Sequence, residues 1–361
     1  MIYRAIGMMS GSSLDGVDLV FASFESKGQQ WNHEIHHIEC IPYSETWKAQ
    51  LRKADQLSAA DYLQLHVEYG KYIGQLLQNF IEKYGLAYRV QLISIHGHTV
   101  FHQPSNGFTH QLGDGAVIAA ITGIPVVSDL RSMDIAFGGQ GAPLVPMGEK
   151  KLFTGNRIFL NIGGIANLSV HDDTIIGFDI CPANRILNTL AEKEGHPYDN
   201  KGTIAKAGKV NTALLTQLNQ LDYYRQPYPK SLSNQYGTET VLPIICEAAL
   251  ITKDALATCT EHIATQIAKA CTSFIKSNAG NKSTMMITGG GAFNEYLIER
   301  IRYHLPELEI IIPEDSIVQF KEALIMALIG VLRWREEPTA LATVTGARKD
   351  SIGGAVWSGH Q

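Results

Sequence analysis

The sequence predicts an α/β protein built from two similar halves. Strand-patterned and helix-patterned stretches alternate along the 361 residues. A strand, glycine-turn, strand unit occurs twice, at 2–24 and at 158–170, too degenerate to count as a sequence repeat. Glycine-rich loops at 7–16, 161–167 and 288–294 are spread over both halves, as they would be if each half offered glycines to one shared ligand. The expected domains are 1–130, joined by the C-terminal segment 336–361, and 131–335.

In chain order, Ile2 to Gly7 and Val17 to Phe24 read as two strands joined by a Gly/Ser/Asp turn. Over Ala59 to Lys83, Leu63, Val67, Ile73, Leu76, Leu77, Phe80 and Ile81 recur at helical spacing. Ser58 with Asp61 forms a capping box, and Gly85 is a stop. Val90 to Ile95 is a short buried strand leading into His96-Gly97-His98-Thr99. Ala116 to Thr122 is helical and Pro125 to Ser128 extended. After a Gly-rich loop, Phe137 to Pro143, come strands at Ile158–Asn161, Leu168–Val170 and Ile175–Asp179, then a helix over Asn184–Glu194. The remainder reads as a helix over Thr258–Ser277, a strand over Met285–Thr288, a helix capped by Asn294, and a last long helix over Lys321–Arg335.

A 45% hydrophobic, 18% charged composition is that of an ordinary globular protein. The net charge of −5 gives no basic nucleic-acid footprint. Five widely spaced cysteines without CxxC read as reduced thiols. The N-terminus reaches a Gly/Ser loop by Ser10, too soon for a signal peptide, and the longest apolar run, Ala323 to Leu332, is too short to span a bilayer. The expectation is a cytoplasmic protein without a membrane partner.

Backbone amides converging in a tight turn bind phosphate, and glycine permits their close approach. Gly7 to Gly16 offers such a turn, and Asp15 and Asp18 beside it suit a magnesium ion between carboxylate and phosphates, although an ordinary hairpin has the same composition. Gly289-Gly290-Gly291, after a strand and before a helix, would let a flat ring lie on the backbone at the strand end where α/β sheets bind ligands. No GxxxxGK[ST] is present, and no GxGxxG opens a helix after the first strand, which excludes P-loop and Rossmann sites. Asp179, at the end of its strand, is either a general base or the cap of the next helix. His96 and His98, two apart on an extended strand, would share a face as half of a zinc site, or His96 simply hydrogen-bonds at a strand end. Arg131 is either a phosphate or carboxylate ligand or part of a structural ion pair. Glu322 is a first-turn residue favoured by the helix dipole or a substrate ligand.

Several runs together resemble one family. Gly7-Met8-Met9-Ser10-Gly11-Ser12-Ser13-Leu14-Asp15-Gly16-Val17-Asp18 is similar to the MSGTSxDGxD opening of the anhydro-N-acetylmuramic acid kinases. The runs 96–102, 134–146 and 160–167, Gly289-Gly290-Gly291 with Asn294, Glu322-Ala323-Leu324 and Val344 to Ala347 resemble their further motifs in order. The resemblance implies two actin/hexokinase-like domains with ATP and sugar in an interdomain cleft. It implies an enzyme of bacterial cell-wall recycling that opens the 1,6-anhydro bridge with water and phosphorylates oxygen 6, and also a homodimer. By this likeness Asp179 activates the water, and Arg131 and Glu322 hold the sugar, with His96 and Thr99 lining its pocket. Gly11, Ser12, Ser13, Leu14, Asp15, Gly16, Val17 and Asp18 hold the ATP phosphates with Mg2+, near Gly163 and Gly164. Gly289, Gly290 and Gly291, with Asn294, cover the adenosine.

The chain departs from the family's FDTGPGN at Ile180, Cys181 and Ala183, which is expected to make that wall of the sugar site bulkier and more apolar. His98 stands where glutamine is usual, and Pro229-Lys230-Ser231 resembles the family's PKS. A kinase of another amino sugar, an actin-like ATP-binding protein without a sugar, and a zinc hydrolase on the histidine cluster are the alternatives.

Overall fold

The computed structural model describes residues 1–11, 13–28, 30–228, 230–233, 235–275 and 283–359. They fall into two compact α/β units, Met1–Thr154 with Phe320–Gln361, and Gly155–Gln319. The boundaries therefore lie at 154/155 and 319/320 rather than at 130/131 and 335/336. Segment 131–154 stays with the first unit for a physical reason. The carboxylate of Asp134, with no exposed surface, accepts hydrogen bonds from Gly141 N at 2.8 Å and from Thr345 Oγ1 at 2.8 Å.

The first unit is built on β1 (Ile2–Ser10), β2 (Gly16–Lys27), β3 (Gln30–Pro42), β4 (Leu92–Gln103), β5 (Phe108–Leu112) and β6 (Val126–Ser128). The second contains β7 (Ile158–Ile162), β8 (Ile165–His171), β9 (Ile175–Pro182), β10 (Ser283–Thr288) and β11 (Leu308–Ile311), and the C-terminal β12 (Ala355–Trp357) returns to the first. Antiparallel β3-β2-β1 continues through parallel β4 and β6. In the same way antiparallel β9-β8-β7 continues through parallel β10 and β11. β5 and β12 are additions to the first sheet. The two similar halves expected from the paired glycine hairpins are thus one strand order used twice.

Burial explains the pattern. Ala5, Ile6, Met8, Ile93 and Ile95 on β1 and β4 are essentially fully buried, as are Ile158, Leu160, Met285 and Ile287 on β7 and β10. Central parallel strands covered on both faces read as continuous apolar runs. The helix Ala59–Lys83 covers the first core with Leu65, Tyr69, Ile73, Leu77, Phe80 and Ile81, and Ser58 caps it by accepting from Asp61 N at 3.2 Å. The helix Thr252–Thr272 plays the same part in the second unit. It begins six residues before the expected start, and the expected end at Ser277 lies outside the described residues.

β3 has no counterpart in the sequence reading. It is an edge strand, and its His33, Glu34, His36, His37 and Glu39 mask the apolar alternation. β4 runs eight residues past the expected Ile95, because a bulge at His96-Gly97 lets pairing resume at Ser10 opposite His98.

Lys321, on the helix Asp315–Trp334, pairs with Glu149, on the helix Val145–Leu152, at 2.8 Å, each side chain 3% exposed. Lys321→Met takes the ammonium away from a buried carboxylate. It is expected to lower unfolding stability by about 3–5 kcal/mol in denaturant titration, and adding Glu149→Met should restore much of the loss.

Candidate functional site

In the first unit the candidate residues lie on the turn after β1 and the start of β2 (Gly11 to Asp18), on β4 (His96, Thr99), just after β6 (Arg131) and on the helix Asp315–Trp334 (Glu322). The turn from Gly11 to Asp15 is tight. Leu14 adopts a left-handed backbone (φ 60°), its N–H reaching Gly11 O at 3.4 Å and its side chain buried in the core. A side chain at Gly16 would meet Ile41 O at 2.5 Å. Leu14 and Val17 face the core and so can offer a ligand only their main chain, whereas Ser13 and Asp15 are exposed. Ser12 lies outside the described residues. Asp18 is half-buried. Burial holds its carboxyl above the usual carboxylate range, a hydrogen bond from Cys40 opposes this, and the charge of Asp15 adds to it. Two carboxylates that repel each other beside a turn of amides fit a divalent cation.

The bulge turns His96 and His98 to different partners. His96 Nδ1 donates to Gly97 O at 2.9 Å, and Nε2 accepts from Arg131 Nη2 at 2.7 Å and Nε at 3.0 Å. Burial, then the neighbouring guanidinium, push the His96 pKa down to about 3, so the ring is a neutral acceptor. Arg131 Nη1 also donates to Gly141 O at 2.7 Å. His98 Nδ1 bonds Ser10 Oγ at 2.9 Å, His102 Nδ1 bonds Thr109, and His110 Nδ1 bonds Tyr62. Each ring has its own protein partner, and no group of three or more His, Cys, Asp or Glu side chains among the described residues is arranged to hold a metal. The shared face expected of His96 and His98 is lost to the bulge.

Glu322 stands two turns inside its helix, so the first-turn alternative fails. Burial raises its pKa, while Lys321 and Arg131 pull it down. Among the described residues its carboxylate accepts no hydrogen bond and makes no ion pair. The same electrostatic neighbourhood pushes Arg131 down to about 10 through burial, with Glu322 opposing. Thr99 is exposed at the outer half of β4.

In the second unit three loops converge at the paired ends of β7 and β10, where Thr288 lies opposite Asn161. Gly289 has φ +82°, and a side chain there would meet Asn161 Oδ1 at 2.5 Å and Ile162 O at 2.7 Å. One at Gly291 would meet Ile162 Cγ2 at 2.2 Å. Gly163 O and Gly164 O accept from Asn184 N at 3.0 Å and Ala183 N at 2.8 Å, which ties the β7–β8 turn to the start of the helix Asn184–Glu192. Thr288 Oγ1, 1% exposed, has no partner among the described residues. Close-packed backbone with one orphaned hydroxyl fits a nucleotide-sized polar ligand. Asn294 accepts from Leu297 N at 3.0 Å, so its side-chain oxygen caps the helix Glu295–His304.

Asp179 is inside β9, not at its end, and it is not a helix cap: the residue before Asn184 is Ala183, with no side-chain cap bond. A second segment encloses it. Asp179 N donates to Lys230 O (3.1 Å), Tyr223 OH donates to Asp179 O (2.7 Å), and Leu232 N donates to Oδ2 (2.9 Å). Burial raises its pKa and the Leu232 amide opposes this. Oδ1 has no partner among the described residues. A cavity of about 470 Å³ lies alongside, lined by Tyr223, Gln226, Ser231, Leu232, Ser233 and Tyr236 among others. Tyr223 and Leu232 were not among the expected site residues. The sequence signal for them was the run at 229–231, of which Pro229 is outside the described residues. Ile180, Cys181 and Ala183 are buried in the second core.

Replacing Arg131 by Lys removes the planar fork that spans His96 and Gly141. Amide exchange in the loop 137–141 is expected to accelerate about tenfold, the equivalent of one hydrogen bond, while the global unfolding midpoint changes little.

A family model described as anhydro-N-acetylmuramic acid kinase matches residues 3–359. The Aliivibrio fischeri protein named anhydro-N-acetylmuramic acid kinase is 34% identical over 98% of this chain and 99% of its own length. Proteins of the same name from Hydrogenovibrio crunogenus (34%; 98% and 97% covered) and Acinetobacter baylyi (32%; 98% and 98% covered) are similar over the same extent. The glycine turns, the Arg131–His96 pair and the enclosed Asp179 all lie within the matched span, and this chain belongs to the anhydro-N-acetylmuramic acid kinase family.

Proposed function

We propose that this kinase uses water to open the 1,6-anhydro bridge of anhydro-N-acetylmuramic acid and transfers the γ-phosphoryl group of ATP to oxygen 6, giving N-acetylmuramic acid 6-phosphate in the cytoplasm. Family membership supplies the reaction. The observation that carries its assignment to residues is Asp179, whose Oδ2 is held by a backbone amide while Oδ1 is left without a partner among the described residues.

In this reading Oδ1 takes a proton from water as the water oxygen bonds to the anomeric carbon. The bond from that carbon to oxygen 6 breaks, and oxygen 6 attacks the γ-phosphorus, releasing ADP. Arg131 and Glu322 hold the sugar, near His96 and Thr99. Neutral His96 orients the Arg131 fork. The main chain of the turn from Gly11 to Asp18 and, in the second unit, Gly163 and Gly164 are assigned to the phosphates, and Gly289 to Gly291 with Asn294 to the adenosine. Asp15 or Asp18 would hold Mg2+, which neutralises phosphate charge when bound. Ile180, Cys181 and Ala183 point into the core and give no reason to prefer a different amino sugar.

The test is ADP release with magnesium and ATP, with and without the 1,6-anhydro sugar, and mass spectrometry of the product. Strong stimulation with a product heavier by one water and one phosphoryl group is expected. ADP release indifferent to the sugar would overturn the reading. Asp179→Asn should retain ATP binding and lose turnover by several orders of magnitude.

The working form of Asp179 is the deprotonated carboxylate, and burial raises the pH at which that form appears. The acid limb of kcat/KM should therefore lie above the ordinary aspartate value of 3.8, with the rate falling as pH drops through it.

A further inference from the structure

Two adjacent glycines of the second unit have no reason within the protein to lack a side chain. Gly163 and Gly164 join β7 to β8. Glycine at such a turn is ordinarily chosen for positive φ, yet neither residue is in the left-handed region. A Cβ at Gly163 would find its nearest neighbour beyond the adjoining residues at 3.6 Å, and one at Gly164 at 3.7 Å, which is ordinary van der Waals contact. Gly289 and Gly291 are different, because the packing of the protein itself leaves no space there. The room over the 163–164 turn is therefore space that the fold leaves unused.

The margin of that room is basic. The atoms nearest to a Cβ at Gly164 are Arg185 Nε at 3.7 Å, Cβ at 3.8 Å and Nη2 at 4.0 Å, so the half-buried guanidinium lies against the turn. Main-chain bonds fix its base. Ala183 N donates to Gly164 O at 2.8 Å and Asn184 N to Gly163 O at 3.0 Å, while Asn184 Nδ2 donates to Ile162 O at 3.1 Å. The turn thus directs its carbonyls at the start of the helix Asn184–Glu192. The amide of the exposed Gly164 has no hydrogen-bond partner among the described residues.

Charge points the same way. The glycine runs 7–16, 161–167 and 288–294 contain no Lys or Arg, and Asp15 adds a negative charge to the first. Magnesium offsets only part of the charge of a triphosphate, and amides supply only partial charges. An arginine fork supplies a full charge and two parallel N–H bonds to one phosphate group.

We propose that Arg185 is a phosphate ligand, whose guanidinium holds oxygens of the ATP phosphates in the space over the Gly163–Gly164 turn, together with the Gly164 amide. The inference rests on the assignment of this turn to the phosphates.

Calorimetric titration of the full-length protein with Mg2+-ADP and with adenosine tests it. Arg185→Met keeps the apolar stem and removes the fork. Its affinity for Mg2+-ADP should fall at least about tenfold, as for a lost charge-assisted hydrogen bond, and its affinity for adenosine should not change. Unchanged Mg2+-ADP binding would overturn the proposal, and so would equal losses for both ligands, which mark a structural role. Arg185→Lys retains the charge without the fork and should fall between wild type and Arg185→Met. If Arg185→Met does not fold, the lysine variant carries the same comparison. In steady-state kinetics the KM of ATP should rise and that of the sugar should not; the opposite result would remove Arg185 from the phosphates. Gly164→Ala tests the unused space. The unfolding midpoint of the free protein should be unchanged while Mg2+-ADP binding weakens, and a lowered midpoint would show that the fold itself needs the glycine. Wild-type protein that binds Mg2+-ADP no better than adenosine would sink the assignment of the turn. A loss in Gly164→Ala without one in Arg185→Met would leave that assignment standing and overturn the role of Arg185.

Discussion

The carboxylate of Asp134 carries much of the first unit's local order. A carboxyl group with no access to water persists only if its oxygens are satisfied, and here one takes the Gly141 amide and the other the Thr345 hydroxyl. The first bond shapes the loop after Phe137, the second anchors the C-terminal segment to it, and Gly139 packs so closely that a side chain there would meet Oδ2 at 2.2 Å. Gly141, fixed in this way, offers its carbonyl to Arg131. The guanidinium is thus held from two sides, by Gly141 and by His96, and Glu322 lies within its field.

The second unit solves a similar problem with backbone. Its glycine turns are held by main-chain bonds from Ala183 and Asn184, and Asp179 is enclosed by amides and a tyrosine hydroxyl instead of by counter-charges. One topology therefore supports two kinds of site. One is charged and side-chain built, the other largely neutral and backbone built. The difference lies in the loops between the strands, not in the sheets themselves.

Much of this was legible in the sequence. The glycine hairpins were visible because tight turns demand a particular residue, and the helix Ala59–Lys83 because its apolar period and its Ser58 cap agree. The candidate residues of each unit were visible because short polar runs interrupt apolar strands. Three things were not. β3 hid because an edge strand can be half polar. The bulge at Gly97 hid because a one-residue slip leaves no mark on composition, yet it decides where both histidines point. The enclosure of Asp179 by Tyr223 and Leu232 hid because it depends on groups some 50 residues downstream, one of them a main-chain amide that any residue but proline would supply equally.

The bulge has a consequence for how the chain can change. On a regular strand, residues two apart share neighbours, and replacing one disturbs the other. The extra residue at Gly97, with φ +76° and no room for a side chain against Leu112 O, gives His96 and His98 separate surroundings. A change at position 98 therefore need not disturb the bonds of His96 to Arg131 and Gly97. A single glycine thus insulates one buried histidine from changes at the other.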